Sequence, residues 1–455
     1  MRRPAFLGNA GRIATLAWPV LIGQLAVLAY STIDTMLAGR AGALDLAALA
    51  IGGAAYITVF IGLMGIVVAV GPIAGQLFGA RHHAQAGAQL HQAMWLALLL
   101  SVPGCALLLF PQPFLDLARA EPAVAAKARA YLGALAFALP FALLFAAFRG
   151  FNTAVSRPKI VMALQLGSLA LKLPLTAWLV FGGLGVPPLG APGCGIATAI
   201  CFALQMLAAW LVLQRDPFYA PFAFGAGLQR PHRASLAALL RLGVPMGASV
   251  MVEVTGFSFM AFFIARIGAV PVAGHQIALN LVSAMFMVPL AIANASSTLV
   301  AQSIGAGDLR DARRVGWHGL EMGGLIAAVM GGGVYLLREP ILGLYTREAA
   351  VVAAALPLLA WVALFHVADA AQTVAAFVLR AWRITVVPML IYVAALWGVG
   401  LAGGYALAFD LPGRVPPALQ GAQGFWSAAT AGLVLAGAAL SGFLLWMLRR
   451  QRATL

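Results

Sequence analysis

Charge is scarce in this sequence, and acid is scarcer than base. Only 9% of its 455 residues are Asp, Glu, Lys or Arg, with 13 acids against 28 bases. Soluble domains carry roughly 25% charged residues, so a water-soluble globule is excluded. Cysteine is nearly missing: Cys105, Cys194 and Cys201 are the three present, each in an apolar segment. With no histidine at ligand spacing beside them, they read as core packing and not as a metal site or disulfide framework. No glycine-rich phosphate loop with its lysine occurs, so a nucleotide-driven engine is not expected. Clustered His, Asp and Glu at one depth, or a serine beside a base, is also missing. That argues against an intramembrane enzyme, and no cofactor is implied.

What abounds is apolar length. Hydrophobic residues make up 63% of the chain, and the mean hydropathy is +0.96. Runs of about 20 apolar residues, long enough to cross a bilayer, recur twelve times. They fall near 13–38, 47–75, 91–110, 128–150, 160–181, 191–213, 242–265, 272–301, 316–337, 350–379, 384–409 and 422–448. Lipid offers the backbone no hydrogen bonds, so each run must be helical. The fold expected is an all-α membrane protein with twelve transmembrane helices. Met1-Arg2-Arg3 resembles the basic start of a signal peptide. The apolar run that follows is too long and ends at Asp34, so the first helix is expected to be retained. The net charge of +15 collects in alternate loops. With the N-terminus inside, most Lys and Arg face the cytoplasm, as the positive-inside rule requires. Both termini are expected there; the bilayer is the partner, and no nucleic acid is implied.

The longest polar connection, 214–241, carries Pro217, Pro221, Pro231 and several arginines. It reads as a cytoplasmic linker between six-helix lobes at 1–213 and 242–455. The lobes resemble each other. Slid against itself without a gap, the chain pairs Leu16 with Leu242, Pro19 with Pro245, Arg40 with Arg266 and Gly42 with Gly268. The same register pairs Phe60 with Phe286, Gln76 with Gln302, and Gly79-Ala80 with Gly305-Ala306. An even number of helices per lobe makes this a parallel repeat, an architecture that rocks its halves around a substrate site between them. Pro19 and Pro245 each break a backbone hydrogen bond early in the opening helix of a lobe. They are either packing kinks or hinges.

Four ionisable residues stand inside the apolar runs: Asp34, Lys172, Glu253 and Asp369. A charge at mid-bilayer costs about 2.5–3.5 kcal/mol, so such groups face a protein interior or water and commonly handle ions or protons. Asp34 is either an interfacial carboxylate near Arg40 or a proton or cation carboxylate. Glu253 is either a structural hydrogen-bonding group or, with Asp369, half of a proton or monovalent-cation site, since hard cations prefer oxygen. Lys172 either snorkels or pairs internally, and Asp34 is the acid within a span of its lobe. His275 and Gln276 either line the outer mouth or pack. Tyr56 and Trp397 are interfacial anchors or cavity walls. Asp308 and Asp311 read as a solvated cytoplasmic loop.

Several ordered motifs carry a resemblance. They are Ile33-Asp34-Thr35 followed by Gly39; Val70-Gly71-Pro72 with Gln76 and Gly79; Ala273-Gly274-His275-Gln276-Ile277-Ala278-Leu279-Asn280; and Asp369-Ala370-Ala371-Gln372 leading to Leu379-Arg380. Together they make the chain similar to the multidrug and toxic compound extrusion family, in its NorM-like branch, over essentially its whole length. The resemblance implies a V-shaped, two-lobed inner-membrane antiporter that expels cationic amphipathic compounds against a proton or sodium gradient. It implies Asp34 as the carboxylate of the first lobe. Glu253 and Asp369 would form the cation site of the second, open to Na+. Thr176 and Thr198 would support the first-lobe site, and a monomer is expected. Where many relatives carry asparagine, this chain has Lys172, a fixed positive charge beside Asp34. Sodium is therefore not expected in the first lobe, where the ammonium stands in for the cation. The rival reading is a lipid-linked oligosaccharide flippase of related architecture, which needs a cationic cavity. One lysine against three acids favours a cationic cargo.

Overall fold

A chain this apolar can satisfy its backbone only within its own helices, and the computed structural model is built that way. It describes residues 3–118, 120–183, 185–224, 227–411 and 413–450. Its long helices are α1 (Phe6–Ala41), α2 (Ala43–Gly79), α3 (His83–Leu109), α4 (Pro122–Ala154), α5 (Pro158–Phe181) and α6 (Ala191–Arg215). They continue as α7 (Arg233–Ala265), α8 (Ala269–Gly305), α9 (Leu309–Leu336), α10 (Ala349–Ala381), α11 (Val386–Ala408) and α12 (Gly421–Arg449). All twelve are long and apolar enough to cross a membrane. Among the described residues there is no strand, only an isolated bridge between Gly183 and Val186. Each expected span is a helix. Several outrun their apolar stretch: α7 begins at Arg233 because Ala, Leu and Arg hold a helix in water as well as in lipid.

The internal repeat extends to backbone angles. Gly42 and Gly268, which it pairs, precede α2 and α8 with φ of 149° and 147°, a region that glycine enters without a Cβ penalty. Ala80 and Ala306, also paired, end α2 and α8 with φ of −73° in both. Such agreement at turns, where sequence constrains φ most, makes the two halves copies in structure as well as in letters.

Contacts group the helices into two units. The N-terminal unit is Trp18–Gly247; the C-terminal unit is Met1–Ala17 together with Ala248–Leu455. The helices α1 and α7 each begin on one unit and continue in the other.

In the N-terminal unit the start of α7 lies against α2 through glycines. A Cβ on Gly243 would stand 2.4 Å from the Ile66 carbonyl oxygen, and one on Gly65 would stand 2.6 Å from the Gly247 Cα. Such close backbones are how small residues join helices in lipid. The polar connection between α6 and α7 is packed down over part of its length. Pro217–Phe222 forms a 3₁₀ turn, and Tyr219, Phe222 and Phe224 are buried. Arg157 bonds Asp216 at 2.5 Å and lies 4.2 Å over the Phe218 ring. Burial pushes the Tyr219 hydroxyl up to about 12, so it stays protonated and donates to Asn152 Oδ1. Further along, Gln92 donates to the Arg230 carbonyl at 3.0 Å and accepts from the His232 N–H at 2.7 Å. The aromatics between its prolines and arginines make this connection a packed strap.

In the C-terminal unit the first turns of α1 are held by Arg12, which donates to both carboxylate oxygens of Asp311 at 3.0 and 3.1 Å. Ser303 donates to the same carboxylate at 2.8 Å, and Ile13 is fully buried. Asp308 caps α9 by accepting from the Asp311 N–H at 2.9 Å. The reading of Asp308 and Asp311 as a solvated loop is thus corrected, since one is a helix cap and the other an anchor for α1. Within α11, Val393–Ala402 winds as a π-helix, a rare form often found at functional sites.

Candidate functional site

The four ionisable residues of the apolar runs divide between the units, Asp34 and Lys172 in one and Glu253 and Asp369 in the other. In the N-terminal unit, α1 supplies Asp34, α5 supplies Lys172, and α6 supplies Cys194 and Thr198. Lys172 has 0% exposure and Asp34 has 7%. The ammonium lies 2.8 Å from Asp34 Oδ1. It donates to Thr198 Oγ1 at 2.5 Å and to the Cys194 carbonyl at 3.2 Å. Thr198 in turn donates to that carbonyl at 2.8 Å, so its hydroxyl lone pairs face the lysine. The Tyr30 ring centroid is 5.4 Å from the ammonium, within cation–π range, and the Tyr30 hydroxyl bonds Ser168. Snorkelling is excluded for Lys172, because its head group ends inside the unit. A buried pair of this kind is worth little against an apolar replacement, yet breaking it strands a charge. Thr176, one turn beyond Lys172, is fully buried, and its hydroxyl has no hydrogen-bond partner among the described residues.

The sequence reading missed the group that steadies this site. Asp45 Oδ1 accepts from the Ala191 N–H at 2.8 Å and from Lys127 Nζ at 2.7 Å. It thereby caps the start of α6, the helix that presents Cys194 and Thr198. A Cβ on Gly190 (φ +63°) would lie 2.1 Å from that oxygen, so glycine there serves the cap twice. Asp45 falls just before the apolar run of 47–75, and a search for charges inside runs passes over it.

In the C-terminal unit, Asp369 on α10 is 4% exposed. Its Oδ1 accepts from Gln372 Nε2 at 2.9 Å, and the same nitrogen reaches Thr373 Oγ1 at 3.0 Å. Glu253 stands on α7 in the same unit. It also walls a cavity that is otherwise apolar, with Phe257, Met260, Phe365, Leu396, Gly400 and Leu433 among the lining residues. Asp369 is not in that lining. Trp397 donates to the Val252 carbonyl at 3.0 Å, which ties the π-helical stretch of α11 to the turn bearing Glu253. Glu253 thus lines this cavity and Asp369 stands outside its wall.

The remaining sequence candidates lie elsewhere. His275 on α8 is buried and accepts at Nδ1 from Trp426 Nε1, 3.2 Å away. That bond places its proton on Nε2, and the ring packs within the C-terminal unit. Gln276 is exposed. Tyr56 stacks on Phe60 with ring centroids 5.6 Å apart, and its buried hydroxyl has no partner among the described residues. Pro19 and Pro245 sit inside continuous helices, two residues from the points where α1 and α7 pass between units.

Comparison with known proteins gives concordant matches. The sequence model of the MatE family matches residues 19–178 and 245–406, segments that open on the two prolines paired by the repeat. The probable multidrug resistance protein NorM of Aromatoleum aromaticum is 43% identical over 449 residues, covering 97% of this chain and 95% of that protein. The multidrug resistance protein NorM of Vibrio cholerae is 34% identical over 443 residues, covering 97% and 96%. Among solved structures, the Vibrio cholerae MATE transporter VcmN in its bent form has a TM-score of 0.87 at 18% identity and covers 99% of each chain. The eukaryotic MATE transporter AtDTX14 gives 0.85 at 20% identity, covering 97% of this chain and 96% of that one. At such identities the structural likeness speaks to the fold.

Proposed function

This chain belongs to the MatE family, and from that premise we propose a secondary active antiporter that exports cationic amphipathic drugs in exchange for protons or sodium. The observation that carries the reading is Glu253, a single carboxylate in the wall of an apolar cavity inside a membrane span. Apolar walls suit the body of an amphipathic molecule, and one acid suits its positive charge. The names of the NorM relatives, which are multidrug resistance proteins, point the same way.

In this reading Glu253 and Asp369 take the coupling ion or cargo, and Asp34 takes a proton. Lys172, Thr176 and Thr198 furnish the surroundings of Asp34. Pro19 and Pro245 act as hinges for alternating access, being prolines two residues from the points where α1 and α7 change unit. The protein works as a monomer in the bacterial inner membrane with both termini in the cytoplasm. The flippase alternative is disfavoured because its cavity needs free positive charge, and Lys172 is neutralised by Asp34 at 2.8 Å.

Flux of ethidium in proteoliposomes tests this. A pH gradient or a sodium gradient is expected to drive dye movement. Glu253→Gln should reduce it at least tenfold, and Pro19→Ala should slow it without weakening dye binding. No flux under either gradient would sink the proposal.

A further inference from the structure

The N-terminal carboxylate site is full. Its oxygens come from a carboxylate, a hydroxyl and a backbone carbonyl, the hard donors that a small metal cation prefers. All three converge on one nitrogen: Lys172 Nζ is 2.8 Å from Asp34 Oδ1, 2.5 Å from Thr198 Oγ1 and 3.2 Å from the Cys194 carbonyl oxygen. Two of the ammonium's three N–H donors go to Thr198 Oγ1 and the Cys194 carbonyl, and its charge is met by the Asp34 carboxylate 2.8 Å away. The face of Tyr30 closes a further side, with its centroid 5.4 Å from the nitrogen.

Nor can the ammonium step aside. Lys172 is wholly shielded from solvent. A metal ion entering the cage would set two positive charges against one carboxylate or strand the ammonium without a partner. An unpaired buried charge is the costlier state by several kcal/mol. Thr176 lies on the same face of α5, one turn on, fully buried and with its hydroxyl unpartnered among the described residues.

We infer that Lys172 is a tethered cation: it keeps the N-terminal carboxylate site filled, excludes free sodium from it, and confines any sodium the protein binds to the C-terminal unit. The inference rests on the antiport reading for its meaning in transport. Occupancy itself is a binding property and is tested as one.

The experiment is equilibrium binding of radioactive sodium to the full-length protein in lipid nanodiscs, with choline as the balancing cation. Protein carrying Glu253→Gln and Asp369→Asn, with its N-terminal unit unaltered, is expected to bind no sodium. One sodium retained there overturns the inference. Adding Lys172→Asn to that background is expected to create one sodium site per chain, and adding Asp34→Asn as well should abolish it. A Lys172→Asn protein that elutes as a single symmetrical peak yet gains no site also overturns the inference. If that variant does not fold, the first measurement decides alone. Dye flux separates the two readings, because sodium binding in this pattern with no driven flux removes the antiport and leaves the tethered cation standing.

Discussion

At the scale of single residues, Lys172 is fully buried and its ammonium lies 2.8 Å from the Asp34 carboxylate. Removing one partner of a buried pair costs about 3–5 kcal/mol, whereas replacing both with apolar groups of similar volume is close to neutral. Lys172→Met is therefore expected to lower the thermal unfolding midpoint of the purified protein, and Lys172→Met with Asp34→Leu should recover most of the loss. Tryptophan fluorescence on heating reads both. A single variant as stable as wild type would mean that the pair carries no such burden. Asp34, Lys172, Glu253 and Asp369 were all legible in the sequence, since a charge in an apolar run is conspicuous. The cage around the lysine was legible only in part. Thr198 came from family resemblance, but Cys194 acts through its carbonyl, which no side-chain identity announces. Tyr30 is one aromatic among many, and Asp45 stands just outside the run that would have flagged it.

At the scale of elements, hydropathy located the spans well because lipid imposes one solution on any long apolar run. It could not see what depends on packing. The strap at 217–224 reads as polar and proline-rich, and its order comes from Tyr219, Phe222 and Phe224 finding buried places. The π-helical stretch of α11 has no signature in Val393–Ala402, and a glycine of α12 lies close against it. A Cβ on Gly432 would stand 2.5 Å from the Ala395 carbonyl oxygen and 3.2 Å from the Gly400 nitrogen. Gly432→Val must therefore displace α11, whose Leu396 and Gly400 line the Glu253 cavity. The expected outcome is lower stability by about 1–3 kcal/mol, as for overpacking in general, together with weaker ethidium binding. Wild-type binding in a stable Gly432→Val protein would separate the π-helix from the cavity's function.

At the scale of the whole molecule, two copies of one six-helix plan have been given different chemistry. The shared plan is written in paired prolines, glycines and backbone angles, and it was readable because turns demand particular residues. The division of labour was less readable, because it lies in which charges meet. The N-terminal unit holds Asp34 paired with Lys172 at 2.8 Å, and the C-terminal unit holds the acids Glu253 and Asp369. A duplicated transporter so arranged would receive cargo and coupling ion unequally in its halves. The central claim, obligatory exchange, is tested most directly by counterflow. Proteoliposomes containing the protein and a trapped pH indicator are given ethidium on one side at pH equilibrium, with and without sodium. Dye entry accompanied by opposite movement of protons or sodium, abolished in Glu253→Gln, is the predicted result. Dye entry with no counter-movement of either ion would contradict the account and make the protein a passive carrier.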